Sequence, residues 1–461
     1  MSAEVALDRT LPPVAGALRP FHFPGFLHAE LPGGLAVYAA RHGDVPLVSL
    51  ELVTPAGGQH DPPGRHGLST LTAGLLDEGT VRGGALEIAA RIELLGGYLA
   101  SGADWDVSYL AAGVLSRHLP AALELLAEVA TSPTFPPEEL ERLRRQRLAE
   151  LLRRRHDPAI LADERLTEEI FRGTVYGRSL LGDEESVAAI ARDDVVAYYR
   201  RHYGPRDAAL VAVGDLDPEA LVAAAERVFG GGGGPGAPPP PEVRPAPLPG
   251  VVVHVVDRPG AAQTELRLGH AGIPRRHPDY SPLVVLNTLL GGQFTSRINL
   301  NLRERHGYTY GAHSRFVGRQ GPGPFLISAA VATEATGAAA REVLGELVRL
   351  QEEPVAPVEL AETRDYLIGV FPYTVQTIGE LAKRLEMLAT YGLPDDYFAR
   401  YIERIRGVNA DEVQQLARRH LHPERIAIVA VGPAETLESQ LSALGPVSVW
   451  GPEGRVPVAA A

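Results

Sequence analysis

A chain of 461 residues exceeds what one hydrophobic core fills, so two or more domains are expected. Apolar residues at 45% and charged residues at 22% give an ordinary globular balance, and a formal net charge of −13 argues against the basic footprint of a general nucleic-acid binder. With no cysteine, disulfides, thiolate metal sites and thiol nucleophiles are all excluded.

Met1–Pro20 carries Glu4 and Asp8 and lacks an uninterrupted apolar core, so no secretory leader is read there and a cytoplasmic location is expected. No run of about 18 apolar residues occurs, so no membrane contact is expected. Lys383 is the only lysine, set in a helical-looking stretch, Glu380–Glu386, without a glycine loop. A Walker phosphate loop and a pyridoxal Schiff base each need a lysine in a different setting, so both chemistries fall. No G-x-S-x-G nucleophile elbow is present.

In chain order, Leu35–Tyr38 and Leu47–Val53 read as strands, and a helix starts near Gly67. Helical periodicity returns in Ala85–Leu95, Leu119–Thr131 and Pro137–Arg155, with a strand at Val107–Val114 between the first two. The arginine run from Arg142 to Arg155 reads as a solvated helix face. Gly230–Gly250, GGGGGPGAPPPPEVRPAPLPG, is glycine- and proline-rich and reads as a linker that buries no apolar surface and runs over the exterior. Beyond it, Val251–Val256, Thr264–His270 and Phe325–Val331 read as strands, with helices near Ser281–Leu290 and Ser296–Arg305.

The two sides of the linker repeat. Arg200–Gly214 aligns without gaps on Arg418–Gly432, with nine of fifteen positions identical. In each copy a helix ends at Arg-Arg-His, a turn holds the proline, and a short apolar run reads as a buried strand. Pro137-x-Glu139-Leu140 and Pro357-x-Glu359-Leu360 both read as starts of long helices, proline and acid suiting the positive end of the helix dipole. The expected fold class is therefore α+β: two tandem homologous domains, 1–229 and 251–461, of mostly antiparallel sheet packed with helices, joined by 230–250.

Three segments carry chemistry, and together with the duplication they resemble the pitrilysin/insulinase peptidases, including the mitochondrial processing peptidase subunits. The first is Gly67–Thr80, GLSTLTAGLLDEGT. Active relatives place an inverted zinc motif, H-x-x-E-H, between that Gly-Leu and that Gly-Thr. Two histidines at i and i+4 share a helix face and grip one Zn²⁺, while the glutamate activates water. Here those positions hold Thr70, Ala73 and Gly74, and Glu150 stands where the resemblance places the third ligand. One carboxylate cannot hold the metal, so Glu150 is expected to pair with Arg147, Arg153 or Arg154 on its own helix. His60, His66, His420 and His422 lack ligand spacing.

The second segment, Gly96–Tyr109, resembles the family's glycine-led edge strand, which takes substrate by β-augmentation. Gly96, Gly97, Leu99 and Ala100, with Gly291 and Gly292 of the second half, are the substrate-binding candidates. The competing reading is an ordinary turn and strand in which the glycines serve only positive φ. The third, Thr295–Tyr310, resembles the family's L-R-E-x-x-G-x-x-Y element, whose arginine and tyrosine match Arg303 and Tyr310. In active assemblies that pair reaches across the clamshell and hydrogen-bonds the scissile carbonyl as charge develops. Their structural alternatives are a surface ion pair for Arg303 and a half-buried strand aromatic for Tyr310, with Tyr308 as the nearest competitor.

The resemblance therefore implies a non-catalytic subunit without a cofactor of its own. Zinc is expected in a homologous partner, forming a heterodimer that encloses peptide substrates. An inert scaffold like the core subunits of the respiratory bc complex is the alternative, and a zinc enzyme with other ligands is a third reading.

Overall fold

Residues 10, 16, 18–230 and 236–451 are described in the computed structural model. The reading of Met1–Pro20 falls largely outside them, as do residues 231–235 of the linker. The first half runs β1 (Leu27–Glu30), β2 (Ala36–Arg41), β3 (Leu47–Thr54), α1 (Leu68–Gly74), a minute hairpin β4 (Gly79–Thr80) and β5 (Gly83–Gly84), and α2 (Ala85–Leu94). It continues through β6 (Tyr98–Ala103), β7 (Ser108–Leu115), α3 (Leu119–Thr131), α4 (Pro137–Arg154), α5 (Pro158–Ile170), α6 (Glu184–Ala189), α7 (Arg192–His202), β8 (Ala209–Gly214) and α8 (Pro218–Phe229).

The second half begins with β9 (Val252–Asp257), β10 (Gln263–Ala271) and α9 (Tyr280–Asn287), followed by α10 (Arg297–Asn299) set between two π-helical turns, Thr288–Gly292 and Leu300–Arg305. Then come β11 (Thr309–Phe316), β12 (Pro324–Ala332), α11 (Thr336–Glu352), α12 (Pro357–Val370), α13 (Ile378–Tyr391), α14 (Tyr401–Gly407), α15 (Ala410–His420), β13 (Ala427–Gly432), α16 (Ala434–Leu441) and β14 (Val447–Trp450).

Each half builds one six-stranded sheet, β1-β2-β8-β3-β7-β6 and β14-β9-β13-β10-β12-β11, so five strands correspond one to one. The parallel pair β2–β8 recurs as β9–β13, and the three antiparallel contacts that follow recur as well. Only the outermost strand differs: β1 precedes its half and lies antiparallel, while β14 follows its half and lies parallel. The fold is the expected α+β duplication with mixed, mostly antiparallel sheets, and among the described residues neither sheet crosses the linker.

The repeated segment has a physical reason. All six residues of β8 and all six of β13 are buried, which requires a cover on both sheet faces. On one face Leu210 and Ala212 join the first half's own core, and Ile428 and Ala430 the second's. The opposite faces are covered by exchange. Helix α13 of the second half packs on β3 and β8, where Leu381, Leu385 and Leu388 meet Val211 and Val213. Its counterpart α5 packs on β10 and β13, where Leu161 and Leu166 meet Val429 and Val431. Polar contacts fix the second seating: Arg267 donates to Asp163 at 2.6 Å, and His254 Nε2 lies 3.0 Å from Glu169.

The loop between β11 and β12 locks the two halves further. Gln320 donates its backbone N–H to Asp106 (3.1 Å) and accepts from Gln59 (3.0 Å), while Gly321 donates to the Tyr176 hydroxyl (3.3 Å). The Arg319 guanidinium lies 4.5 Å from the Tyr176 ring centre and 5.0 Å from that of Trp105. The linker reading needs a correction. Val243 and Leu248, set among its prolines, are buried in the α5 cluster, because the chain crosses the seam between the halves there rather than open solvent.

Two outcomes follow from the exchanged helices. Leu385→Ala, at a fully buried site, is expected to cost about 2–5 kcal/mol and to lower a single transition shared by both halves, read by calorimetry. Glu386, on α13, has its carboxyl pushed up to about 8 by burial and then by Glu51 and Asp104, with Lys383 opposing. Below the ordinary value of 4.5 both folded and unfolded chains hold this proton; between 4.5 and about 8 only the folded chain does, so its contribution to stability is lost as pH rises through that window. Glu386→Gln should remove that slope, with melting temperatures from pH 5 to 9 moving progressively in the variant's favour.

Candidate functional site

Helix α1 starts at Gly67, whose φ of +89° places it in the left-handed region and where a Cβ would strike the Leu181 carbonyl oxygen at 2.6 Å. The buried Asp61 carboxylate accepts from the N–H groups of Gly67 (2.8 Å) and Ser69 (2.7 Å), satisfying donors at the helix start. Burial outweighs those bonds and pushes its pKa up to about 7.

Thr70 and Gly74, one turn apart, face α4 in antiparallel register. Thr70 meets Arg147, and a Cβ built on Gly74 would lie 3.7 Å from Leu143, also one turn apart. Arg147 Nη1 donates to the Thr70 hydroxyl at 2.8 Å and to the Leu181 carbonyl at 3.2 Å, and its Nε lies 3.4 Å from Glu150 Oε2. The Thr70 hydroxyl itself donates to the Gly67 carbonyl at 3.0 Å. The Arg147 side chain is 14% exposed, and burial draws its pKa below the usual arginine value.

These positions do not fit zinc. Ala73 and Gly74 offer no donor atom, the Thr70 hydroxyl is committed to two partners, and Glu150 is engaged by a cation of the protein. Among the described residues no group of three or more histidines and carboxylates could hold a metal ion. Glu150 pairs with Arg147, as expected from the helix spacing.

The arginine run of α4 is a solvated face only in part: Arg145 and Arg153 are exposed, while others of the run meet protein. Arg142 pairs with Glu78 and Glu139, Arg155 with Glu184, and Arg144 donates to the carbonyls of Val187 and Ile190 at the end of α6. Helix α4 is wedged between α1 and α6, so several of its cations meet a helix C-terminus and half-buried carboxylates.

Among the described residues strand β6 pairs only with β7, at the edge of the first sheet, and presents Leu99 and Ala100. The glycine pair before it ends α2: Gly96 N–H donates to Glu93 and Gly97 N–H to Ile92, a Schellman stop with Gly96 at φ +66°. A Cβ on Gly97 would sit 2.4 Å from the Gly113 carbonyl oxygen, so the crossing onto β7 also demands glycine. In the second half Gly291 presses against Ser314 of β11 (2.6 Å for an added Cβ), holding the turn that carries the third motif.

Within that motif the structural residues turn inward. Leu302 is fully buried, Asn301 donates to Glu346 (2.7 Å) and Glu342 (2.9 Å), and Asn299 accepts from Ala312 N–H. Arg303 lies outward, its guanidinium 4.5 Å from the Phe294 ring centre and 3.4 Å from Glu304. Strand β11 is the edge of the second sheet, and its pairing shifts between Thr309 and Ala312. That irregularity lifts Tyr310 to 89% exposure. Tyr308 is half-buried and stacks on His306 at 4.9 Å, so it is the structural tyrosine of the two.

Comparison with known proteins agrees with this architecture. Residues 37–184 match the family model for insulinase (peptidase family M16), and residues 189–367 match that for the peptidase M16 inactive domain. An uncharacterized zinc protease of Streptomyces coelicolor is 25% identical over 416 residues, spanning 87% of this chain and 88% of that one. A crystal structure of a peptidase M16 inactive domain from Pseudomonas fluorescens superposes with a TM-score of 0.83 at 26% identity, covering 89% of this chain and 98% of that one. A chain of Complex III2 from Candida albicans shares the fold, with a TM-score of 0.76 at 16% identity, over 92% of this chain and all of that one.

The purified chain, dialysed against micromolar zinc, is expected to retain well below one equivalent per molecule. Elemental analysis checks this, with Glu150→Gln making no difference to the metal content.

Proposed function

The chain belongs to the insulinase (peptidase M16) family, and from that premise we propose that it is the non-catalytic subunit of a heterodimeric zinc peptidase. Its metal position is filled by protein, so hydrolysis requires a homologous partner that brings the zinc motif. In this reading the two chains close face to face around a chamber that admits unfolded or short peptides. Strand β6, with Leu99 and Ala100, lends this chain's edge to enclosing them.

One observation carries the reading. Within the Arg–Tyr motif Asn299, Asn301 and Leu302 are buried, while Arg303 and Tyr310 lie outward on the rim of the second sheet together with Glu304, Arg305 and His306. At 89% exposure Tyr310 contributes little to packing and leaves its hydroxyl open to an opposing surface. A guanidinium and a phenol held on rigid elements suit an oxyanion that develops in an opposing site, because fixed donors need no reorganisation as charge forms.

Exposed apolar residues flank both edges at corresponding places: Leu86, Leu94 and Tyr98 beside β6, and Phe294 and Leu300 beside β11. Such clusters favour a partner surface at both rims.

The test mixes this chain with a zinc-bearing relative and measures peptide turnover. Arg303→Ala or Tyr310→Phe should each depress turnover of the mixture about 10²–10³-fold, the range for a lost oxyanion donor, with the assembly unchanged by gel filtration. Cleavage indifferent to both substitutions, or no cleavage with any zinc-bearing relative, would leave the inert scaffold as the better reading.

A further inference from the structure

We infer that Arg147 is a built-in surrogate for the missing metal: its guanidinium ties α1 to α4 at the degenerate zinc position and blocks that position against a metal ion. The register between the helices carries this. On α1 the two positions that bear histidines in active relatives, Thr70 and Gly74, are one turn apart and look at α4. On α4 the residues that meet them, Arg147 and Leu143, are also one turn apart, in the opposite order. The Arg147 and Leu143 side chains thus stand directly opposite the two positions where imidazoles would be placed.

Arg147 does chemically what a bridging cation does. It takes the Thr70 hydroxyl at 2.8 Å and the Leu181 carbonyl at 3.2 Å, and it lies 3.4 Å from the Glu150 carboxylate. Three oxygens from three separate segments, α1, α4 and the loop before α6, therefore converge on one positive group. A planar guanidinium with five donors can bridge them, where the single point charge of a lysine cannot reach all three. The consequence extends to the sheet edge. Helix α1 packs directly under β6, so whatever holds α1 on α4 also holds the floor of that edge strand. The inference is independent of any partner chain.

Two experiments decide it. The first restores the lost motif as Thr70→His, Ala73→Glu and Gly74→His, with and without Arg147→Ala, and measures zinc binding by dialysis against zinc chloride. With Arg147 present the triple variant should bind well below one equivalent, and with Arg147→Ala added it should bind about one. Equal zinc binding with and without Arg147 overturns the blocking role.

The second leaves the metal aside. In the native background, Arg147→Ala should speed hydrogen exchange of the α1 and β6 amides about ten- to a hundredfold, the scale of one lost charge-assisted hydrogen bond. Arg147→Lys should recover only part of that protection, and Leu152→Ala, on the exposed side of the same helix, should change nothing. Unchanged exchange in Arg147→Ala overturns the surrogate role, and this measurement decides the matter alone if the restored variants do not fold.

Discussion

Two central strands, β8 and β13, are buried on both faces, and in each case one of those faces is covered by a helix from the other half. The chain meets this constraint by exchange: α5 leaves the first half to cover the second sheet, and its counterpart α13 returns to cover the first. Each fully buried Leu or Val in these two seams contributes about 1.5–3 kcal/mol, so neither sheet keeps its outer face dry without the other half. The interlocking loop at Gln320, the arginine seated among Trp105 and Tyr176, and the burial of Val243 and Leu248 are all consequences of bringing the two sheets together this way. The rigid body that results presents two sheet edges, β6 and β11, at equivalent positions.

Those edges have diverged under one geometry. At the first, α1 lies beneath the edge strand and α4 packs across from it. There the Arg147 guanidinium joins a hydroxyl, a carbonyl and the Glu150 carboxylate. This cation among oxygens bridges the two helices. It removes any open coordination position, which is what catalysis by a metal requires.

The second edge has kept polar groups outward where packing has no claim on them. Asparagines of the motif serve its own turn by bonding Glu342, Glu346 and the β11 backbone, and Leu302 fills the core. Arg303 rests against Phe294 and Tyr310 rides on the irregular start of β11, so both are placed by rigid neighbours without being consumed by them. One edge thus turns its cation inward between helices, while the other carries Arg303 and Tyr310 outward.

The sequence by itself determined the duplication, the α+β class and the loss of the zinc ligands. Strand and helix periods are local, and a motif lacking its histidines and glutamate lacks them in any fold. Leu119–Thr131 was legible as a helix to the residue, and β3 and β9 to within one. The six-residue apolar runs of β8 and β13 announced burial on both faces but not what does the covering, since an apolar run carries no record of its partner. The arginines of α4 read as solvated because charge on a helix ordinarily faces water; only the tertiary structure, by wedging α4 between α1 and α6, turned Arg147 inward onto Thr70 and Glu150. Likewise only motif spacing set Tyr310 apart from Tyr308 in the sequence, and the irregular pairing at Thr309 separated them into one half-buried and one exposed. In each case the deciding quantity was which surface lies opposite a side chain, and that is set by contacts between segments far apart in the chain.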